Sequence, residues 1–327
     1  MKPAIVILAT FVLAAMALMA PSGAYPYLFQ LAGSGSAAAP EHWDFTAFPV
    51  TWNINPTVGS NISGSVSAAD AITAAFATWT SAPNAALTIT RGPDSTISSE
   101  AQSPRGINLI CFVCMDGDFN LDAQTLAVTL TTSANGAGEP DGHGGVSRFA
   151  GQILKADILF NSNALYSTSG GSAQDLQTVA THEVGHFLGL AHSGVVRAVM
   201  FPFASSIRQL SYDDVAGLAV LYPKGAADVP TGTISGTVRL GSGVVFGAHV
   251  FAESVTGAEP FASTIRKSPI GALTLPDGSY VIQGLPVDSY VITAEPLDDP
   301  VTNSGVNGYA KTFGQPAVQT NFTTRWH

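Results

Sequence analysis

The sequence predicts an α+β domain followed by a small all-β sandwich. Between about residues 48 and 222, strand-like alternation and helix-like spacing follow one another in the order strand, helix, strands, helix, helix. After residue 230 only short alternating segments occur, and a Pro- and Gly-bounded stretch separates the two patterns. The first order is typical of a mixed sheet with helices packed on it, and the second is typical of a sandwich.

The N-terminus has the features of a secretory signal peptide. Lys2 precedes an apolar run over residues 4–20, and small residues follow it up to Ala24. We therefore predict that residues 1–24 are cleaved, that the protein is secreted and that no stable membrane insertion remains. The alternative is a membrane anchor, because the run is close to the shortest that spans a bilayer. Residues 25–40, rich in Gly, Ser and Ala, are predicted to be a flexible lead-in outside the fold.

The first domain is predicted over residues 41–224. Alternation of apolar and polar residues predicts strands near 48–54, 86–90, 106–113, 126–131 and 153–160. Apolar residues at helical spacing predict helices near 67–79, from about 173 into a histidine-rich motif, and at 211–222. Ser67 is placed to cap the first helix, and Ser211 with Asp214 has the pattern of a capping box.

The sandwich is predicted over residues 232–298, after a linker at 225–231. Its alternating segments lie near 233–240, 244–252, 280–283 and 290–294. No helix is predicted after Tyr222, and residues 299–327 are assigned to a C-terminal tail.

Composition excludes several classes of partner. The 327 residues include 13 Lys and Arg against 23 Asp and Glu, which gives a net charge of −10. Nucleic acids and anionic membrane surfaces both require a basic patch, so neither is expected as a partner. An excess of carboxylates is compatible with bound cations. We expect a monomer.

The strongest functional signal is the run from His182 to His192. If residues 182–188 are helical, His182 and His186 lie one turn apart and present their imidazoles to one point. Gly189 can end the helix in a left-handed conformation, which allows His192 to reach the same ion. Three imidazole ligands leave one position open for water, as in catalytic zinc sites. The sequence therefore predicts one catalytic Zn²⁺.

Glu183 is the predicted general base. It follows a ligand on the helix, where it can take a proton from a zinc-activated water and pass it to a leaving amine. The predicted reaction is hydrolysis of a peptide bond in a protein or peptide substrate. The structural alternative is a helix with solvent-facing histidines, which is disfavoured because three of the seven histidines fall within this one run.

The motif, together with the downstream Met200 and Pro202, resembles the metzincin metalloproteases and, among them, the matrixins. The resemblance implies a metzincin-type catalytic fold over about residues 41–224. It also implies that Met200 forms a hydrophobic floor beneath the histidines and that Pro202 borders the primed-side substrate pocket. The acidic pair Asp213 and Asp214 would tie the last helix to the base of the active site.

Three features depart from the matrixin pattern. The matrixin propeptide with a single zinc-blocking cysteine is not expected here, so the enzyme would be made without that latency or be held inactive by another means. Only His143 lies between residue 43 and the catalytic helix, so a second, structural zinc is not expected. Ala191 stands where the family often has an acidic residue, at a position that does not bind zinc.

Cys111 and Cys114 leave three alternatives open: a disulfide, free thiols, or a metal or redox pair. In a secreted chain a disulfide is the first expectation. Residues three apart on a regular strand face opposite sides, so the bond requires a turn at the two intervening residues.

A candidate calcium loop follows the cysteines. Oxygen-bearing side chains occur at every second position, at Asp116, Asp118, Asn120 and Asp122, and such a series can wrap around Ca²⁺. The loop lacks the distal Glu and the central Gly of helix-loop-helix calcium sites. A solvated acidic loop is the commoner explanation of such a series, and a calcium site is the alternative.

The segment from Thr233 to Pro296 resembles the carboxypeptidase-regulatory-like or transthyretin-like β-sandwich, through runs such as Asp277 to Pro286. The resemblance implies an accessory domain that either docks to a substrate or surface, or serves as a spacer or stabiliser. It also leaves an alternative function for the whole chain, a catalytically silent binding or adhesion protein that acts through this domain.

Overall fold

The computed structural model describes residues 5–12, 27–34, 38–44, 49–114, 121, 124–171, 173–203, 206–297 and 307–327. Its helices are α1 (Ala68–Thr80), α2 (Leu176–Phe187), α3 (Tyr212–Leu221) and α4 (Asn307–Thr312). Its strands are β1 (Ile5–Val12), β2 (Leu31–Ala32), β3 (Ala39–Pro40), β4 (Val50–Ile54), β5 (Ile62–Ser63), β6 (Ile89–Arg91), β7 (Leu109–Cys111), β8 (Ala127–Ser133), β9 (Ile153–Phe160), β10 (Tyr166–Ser167), β11 (Gln174–Asp175), β12 (Thr231–Leu240), β13 (Gly243–Val244), β14 (His249–Ser254), β15 (Ile270–Leu273), β16 (Ser279–Pro286), β17 (Tyr290–Glu295) and β18 (Arg325–Trp326).

A five-stranded mixed sheet forms the centre of the first domain. Its order is β6-β4-β7-β9-β8, with parallel pairing except between β9 and β8. Strand β9 is buried along its whole length, as expected for a strand that has partners on both sides. Strand β8 lies at the edge of this sheet and contacts α2. The mixed α/β architecture agrees with the predicted fold class.

Helices α1 and α2 pack against each other through aromatic side chains. Ser67 caps α1 by accepting a hydrogen bond from the Asp70 amide, as the sequence predicts. The indole of Trp79 donates to the Thr181 carbonyl at 2.7 Å, and Phe76 meets Phe187 edge-on at 5.3 Å. These contacts fix α2, which carries two of the histidines, against the core. In the part of the chain that the structure describes, no helix combines the length and apolar character needed to cross a bilayer.

The N-terminal segment differs from the flexible lead-in predicted for residues 25–40. Tyr27 and Phe29 are buried, and β2 pairs with β3. The Gln30 amide donates to the Gly189 carbonyl at 2.9 Å, so this segment satisfies backbone groups just beyond the end of α2. The Gly- and Ser-rich composition concealed two aromatic residues, Tyr27 and Phe29, that are buried in the folded chain.

The chain bends directly after β7, over Phe112 and Val113. Cys111 and Cys114 are thereby brought together and joined by a disulfide, and both lie in a small apolar cluster with Leu109. The candidate calcium ligands Asp116, Asp118, Asn120 and Asp122 lie outside the described residues.

Residues 231–297, which we call the C-terminal unit, form two antiparallel sheets together with β1 and β18. Strand β12 pairs with β1, β13 and β16, and the second sheet has the order β15-β14-β17-β18. The apolar segment predicted to be a signal peptide therefore supplies β1, which lies along β12. Strand β15 was not predicted, because its four residues are all buried and do not alternate. The absence of a helix after Tyr222 was also predicted wrongly, since α4 lies in the predicted tail, where Val318 and Phe322 are buried.

The C-terminal unit packs directly against the first domain. The backbone of Arg266 pairs with the chain around Ser211: it accepts from the Tyr212 amide at 3.0 Å and donates to the Leu210 carbonyl at 2.7 Å. The Tyr27 hydroxyl donates to the Gln283 carbonyl at 2.7 Å. One continuous hydrophobic core includes side chains from both parts.

Candidate metal centre

Three histidines converge at the end of α2. His182 and His186 lie on the helix and His192 lies on the chain beyond it, with ring centroids 4.8 to 5.2 Å apart. One ligand nitrogen from each ring lies within 4.8 Å of the other two. Within the described ranges, this is the one cluster of His, Cys, Asp or Glu side chains arranged to hold a metal ion.

Gly189 produces the reversal that brings His192 back to the helix. Its φ is 92°, in the left-handed region, and its amide donates to the His186 carbonyl at 2.9 Å. A Cβ at this position would lie 1.9 Å from the Glu41 carbonyl oxygen. Both the backbone conformation and the available space therefore require glycine.

Hydrogen bonds orient two of the imidazoles for metal binding. Nδ1 of His182 lies 2.8 Å from the Val199 carbonyl, and Nδ1 of His186 lies 2.7 Å from the Leu190 carbonyl. Because a carbonyl oxygen only accepts, each Nδ1 carries the proton and each Nε2 keeps a free lone pair. Burial lowers the pKa of both rings, which favours the neutral form. A set of three imidazoles fits Zn²⁺, the catalytic metal of matrixins.

Glu183 lies beside this cluster and is almost fully buried. Its Oε2 accepts a hydrogen bond from the Thr129 hydroxyl of β8 at 2.7 Å. Burial raises the pKa of its carboxyl group to about 7, which suits a group that takes up and returns a proton near neutral pH. Thr129 was missed at the level of sequence, since a threonine in an alternating strand carries no signal of such a contact.

Met200 packs beneath the histidine helix. A Cβ on Gly185 would lie 2.1 Å from the Met200 sulfur, so the side chain fills the space under the helical turn between the two helical ligands. The amides of Val199 and Met200 donate to the Asp214 carboxylate at 2.9 and 3.1 Å. Asp214 also completes the capping box of α3 with Ser211. The first turn of α3 therefore holds the loop that contacts both His182 and α2.

Asp213 is a second buried carboxyl group at the start of α3. It accepts from the Ser193 hydroxyl at 2.5 Å and from the Gly271 amide at 2.8 Å. Burial raises the pKa of Asp213 to about 7. The neighbouring Asp214 carboxylate also acts to raise this pKa, whereas the hydrogen bond from Ser193 and the nearby His249 act to lower it.

This raised pKa makes stability depend on pH. The unfolded carboxyl group ionises near pH ~4, so between about pH 4 and pH 7 the folded chain retains a proton that the unfolded chain has lost. The free energy of unfolding should therefore fall as pH rises through this range. Asp213→Asn cannot ionise and keeps an acceptor for Gly271. The free energy of unfolding, measured with urea at about pH 5 and about pH 8, should fall less between these two pH values for this variant than for the wild type. An identical fall in both would contradict the assignment.

An open cleft of about 740 Å³ runs past the histidines and along β8. Glu183 and the three histidines line it together with Thr129, Gln30 and the apolar residues Leu126, Val199, Pro202 and Phe203. Pro202 is thus one of the residues that line this cleft. The disulfide lies elsewhere, in its own apolar cluster. Gln30 belongs to the segment that the sequence predicted to lie outside the fold.

Comparison with known proteins points to one family. The family described as matrixin matches residues 118–223. The chain is 32% identical over 112 residues to Metalloendoproteinase 1 of Glycine max, covering 30% of this chain and 37% of that protein. It is 34% identical over 112 residues to Karilysin of Tannerella forsythia, which covers 32% of this chain and 24% of that protein. It is 37% identical over 87 residues to Matrix metalloproteinase-19 of Mus musculus, which covers 26% of this chain and 16% of that protein. The chain thus spans well under half the length of each of these relatives. Residues 118–223 are therefore similar in sequence to a matrixin domain.

Proposed function

We propose that the protein is a secreted zinc-dependent metalloendopeptidase. The observation that carries the proposal is the convergence of His182, His186 and His192, with one ligand nitrogen from each within 4.8 Å of the others. This cluster lies beside a buried carboxylate in an open cleft. The matrixin match over residues 118–223 supports it.

The residues of the chain account for proton transfer. When bound, zinc supplies Lewis-acid chemistry, which polarises a carbonyl group and lowers the pKa of water. The Glu183 carboxylate takes the proton of the attacking water and returns it to the leaving amine. Its pKa of about 7 makes both transfers feasible near neutral pH. The Thr129 hydroxyl holds the carboxylate in position through its 2.7 Å hydrogen bond.

The edge strand suits an extended polypeptide substrate. Strand β8 is the last strand of its sheet in the described part of the chain, and it borders the cleft. An extended peptide can pair with such an edge through its backbone, while side-chain pockets select its residues. Leu126, Pro202 and Phe203 give the cleft an apolar wall, so we propose that a hydrophobic substrate side chain occupies it.

Secretion remains part of the proposal. It rests on the signal peptide predicted at residues 1–24, whose cleavage would remove β1 from its pairing with β12. The disulfide between Cys111 and Cys114 supports it, since such bonds persist in oxidising compartments.

The proposal is tested by zinc content and cleavage of an unbiased peptide library. We expect one zinc per chain, loss of cleavage on adding a strong chelator, and recovery on adding zinc. His192→Ala should lose the metal, whereas the matched control His143→Ala, at an exposed position away from the cluster, should retain it. Cleavage that persists in excess chelator would contradict the zinc mechanism. A zinc-loaded protein that cleaves nothing in the library would support a silent binding protein instead.

A further inference from the structure

The C-terminal unit contacts the chain segment that carries the third histidine. His192 is followed by Ser193 and Gly194, and this turn lies between the metal centre and strands β14 and β15. The contact involves both backbone groups and a buried ring, so it is more specific than the packing of two apolar faces.

One link runs through the buried Asp213 carboxyl group. On one side it accepts from the Ser193 hydroxyl at 2.5 Å. On the other side it accepts from the Gly271 amide of β15 at 2.8 Å. Ser193 is itself anchored, because its amide donates to the Met200 carbonyl at 2.8 Å and its hydroxyl accepts from the Val195 amide at 3.0 Å. The carboxyl group therefore joins β15 to the residue next to His192.

A second link is the ring of His249 on β14. The ring is buried, and its Nδ1 lies 3.0 Å from the Glu295 carboxylate on the neighbouring strand. A Cβ on Gly194 would lie 3.1 Å from this ring, and a Cβ on Gly271 would lie 2.5 Å from its Nε2. The ring thus lies between two glycines, one on each side of the interface, and a side chain at either position would press against it.

We propose that the C-terminal unit is a working part of the metal centre, in which Gly271 and His249 position the turn after His192 so that this ligand reaches the other two. The other two rings are oriented by carbonyl groups of the first domain, Val199 and Leu190. The turn after the third ligand, His192, is held in part by the C-terminal unit. Altering the groups that contact metal ligands and orient them changes the affinity for the metal. The inference rests on the proposed zinc site.

The test is a matched pair of glycine substitutions in the full-length protein. Gly271→Ala places a Cβ against His249, whereas Gly232→Ala, in strand β12 of the same unit, meets only a carbonyl oxygen at 4.0 Å. We expect Gly271→Ala to bind zinc roughly 10- to 100-fold more weakly in competition with a chromophoric chelator. Gly232→Ala should bind zinc as the wild type does. Circular dichroism of the metal-free proteins shows whether each variant is folded.

A double-mutant cycle tests the route through Asp213. Ser193→Ala removes the hydroxyl that joins the turn to the carboxyl group and leaves the C-terminal unit untouched. Asp213→Ala removes the acceptor of the same 2.5 Å hydrogen bond. Because both substitutions break one link, the double variant Asp213→Ala/Ser193→Ala should lose less zinc affinity than the sum of the single losses. Full additivity would overturn the proposed route.

Two further outcomes keep the proposal falsifiable. If Gly271→Ala does not fold, His249→Ala replaces it, since it removes the ring without introducing a clash, and the same loss of zinc affinity is expected. Folded variants that bind zinc as tightly as the wild type would show that the C-terminal unit only stabilises the fold, and would overturn the inference. A wild-type protein that binds no zinc would instead overturn the proposed function.

Discussion

Replacing Glu183 by Gln should reduce kcat/KM for peptide cleavage by about 10²- to 10⁴-fold, the range expected for loss of general acid–base catalysis. The amide matches the carboxylate in shape and can still accept the Thr129 hydrogen bond, but it cannot take a proton from water. Since Glu183 is not one of the three converging ligands, zinc content should remain at one per chain. The effect should fall on kcat, with KM little changed.

A fluorogenic peptide identified from the library gives the rates, and metal analysis gives the zinc content. Glu259→Gln is the matched control, because it makes the same chemical change at an exposed position in the C-terminal unit. It should leave both quantities unchanged. Activity of Glu183→Gln within tenfold of the wild type would remove this residue from the mechanism.

Asp214→Ala should lower the free energy of unfolding by about 3–5 kcal/mol, the cost typical of removing one member of a buried charged network. The carboxylate accepts from the amides of Ser211, Val199 and Met200 and from the Ser211 hydroxyl. Alanine leaves these buried donors without an acceptor, and each unsatisfied group costs about 1–3 kcal/mol.

The chain offers a matched control in α1. Asp70 stands in the same position relative to Ser67 as Asp214 does to Ser211, and its carboxylate accepts the Ser67 hydroxyl at 2.7 Å, but it is exposed. Asp70→Ala should cost under about 1 kcal/mol, as expected for a charge in an exposed first turn. Urea unfolding measures both. Equal losses of unfolding free energy at the two positions would show that the capping pattern, and not the buried network, determines the loss of stability.

Several features of the site were predictable because they depend on residues close together in the chain. The spacing of His182 and His186 and the glycine after the helix define a local geometry once α2 forms. The capping patterns at Ser67 and Ser211 likewise use residues three apart. The strands of the central sheet were found to within a few residues, since alternation reports a half-buried strand wherever it pairs.

Other features could not be predicted because their partners are distant in sequence. The lead-in at residues 25–40 has a composition typical of a flexible segment, yet Tyr27 and Phe29 are buried and Gln30 pairs with Gly189. The contact of Thr129 with Glu183 joins residues 54 positions apart. That of Asp213 with Gly271 joins residues 58 positions apart.

The sequence by itself determined the metal-binding motif, the helix that carries it and the class of chemistry it supports, because periodicity and helix-ending signals act over a few residues. Only the tertiary structure decided what surrounds that motif. It brought Thr129 to Glu183 and Asp213 to Gly271, and it placed the C-terminal unit against the turn after His192. These contacts form only when separate elements pack, and their energies depend on burial that no single segment achieves alone.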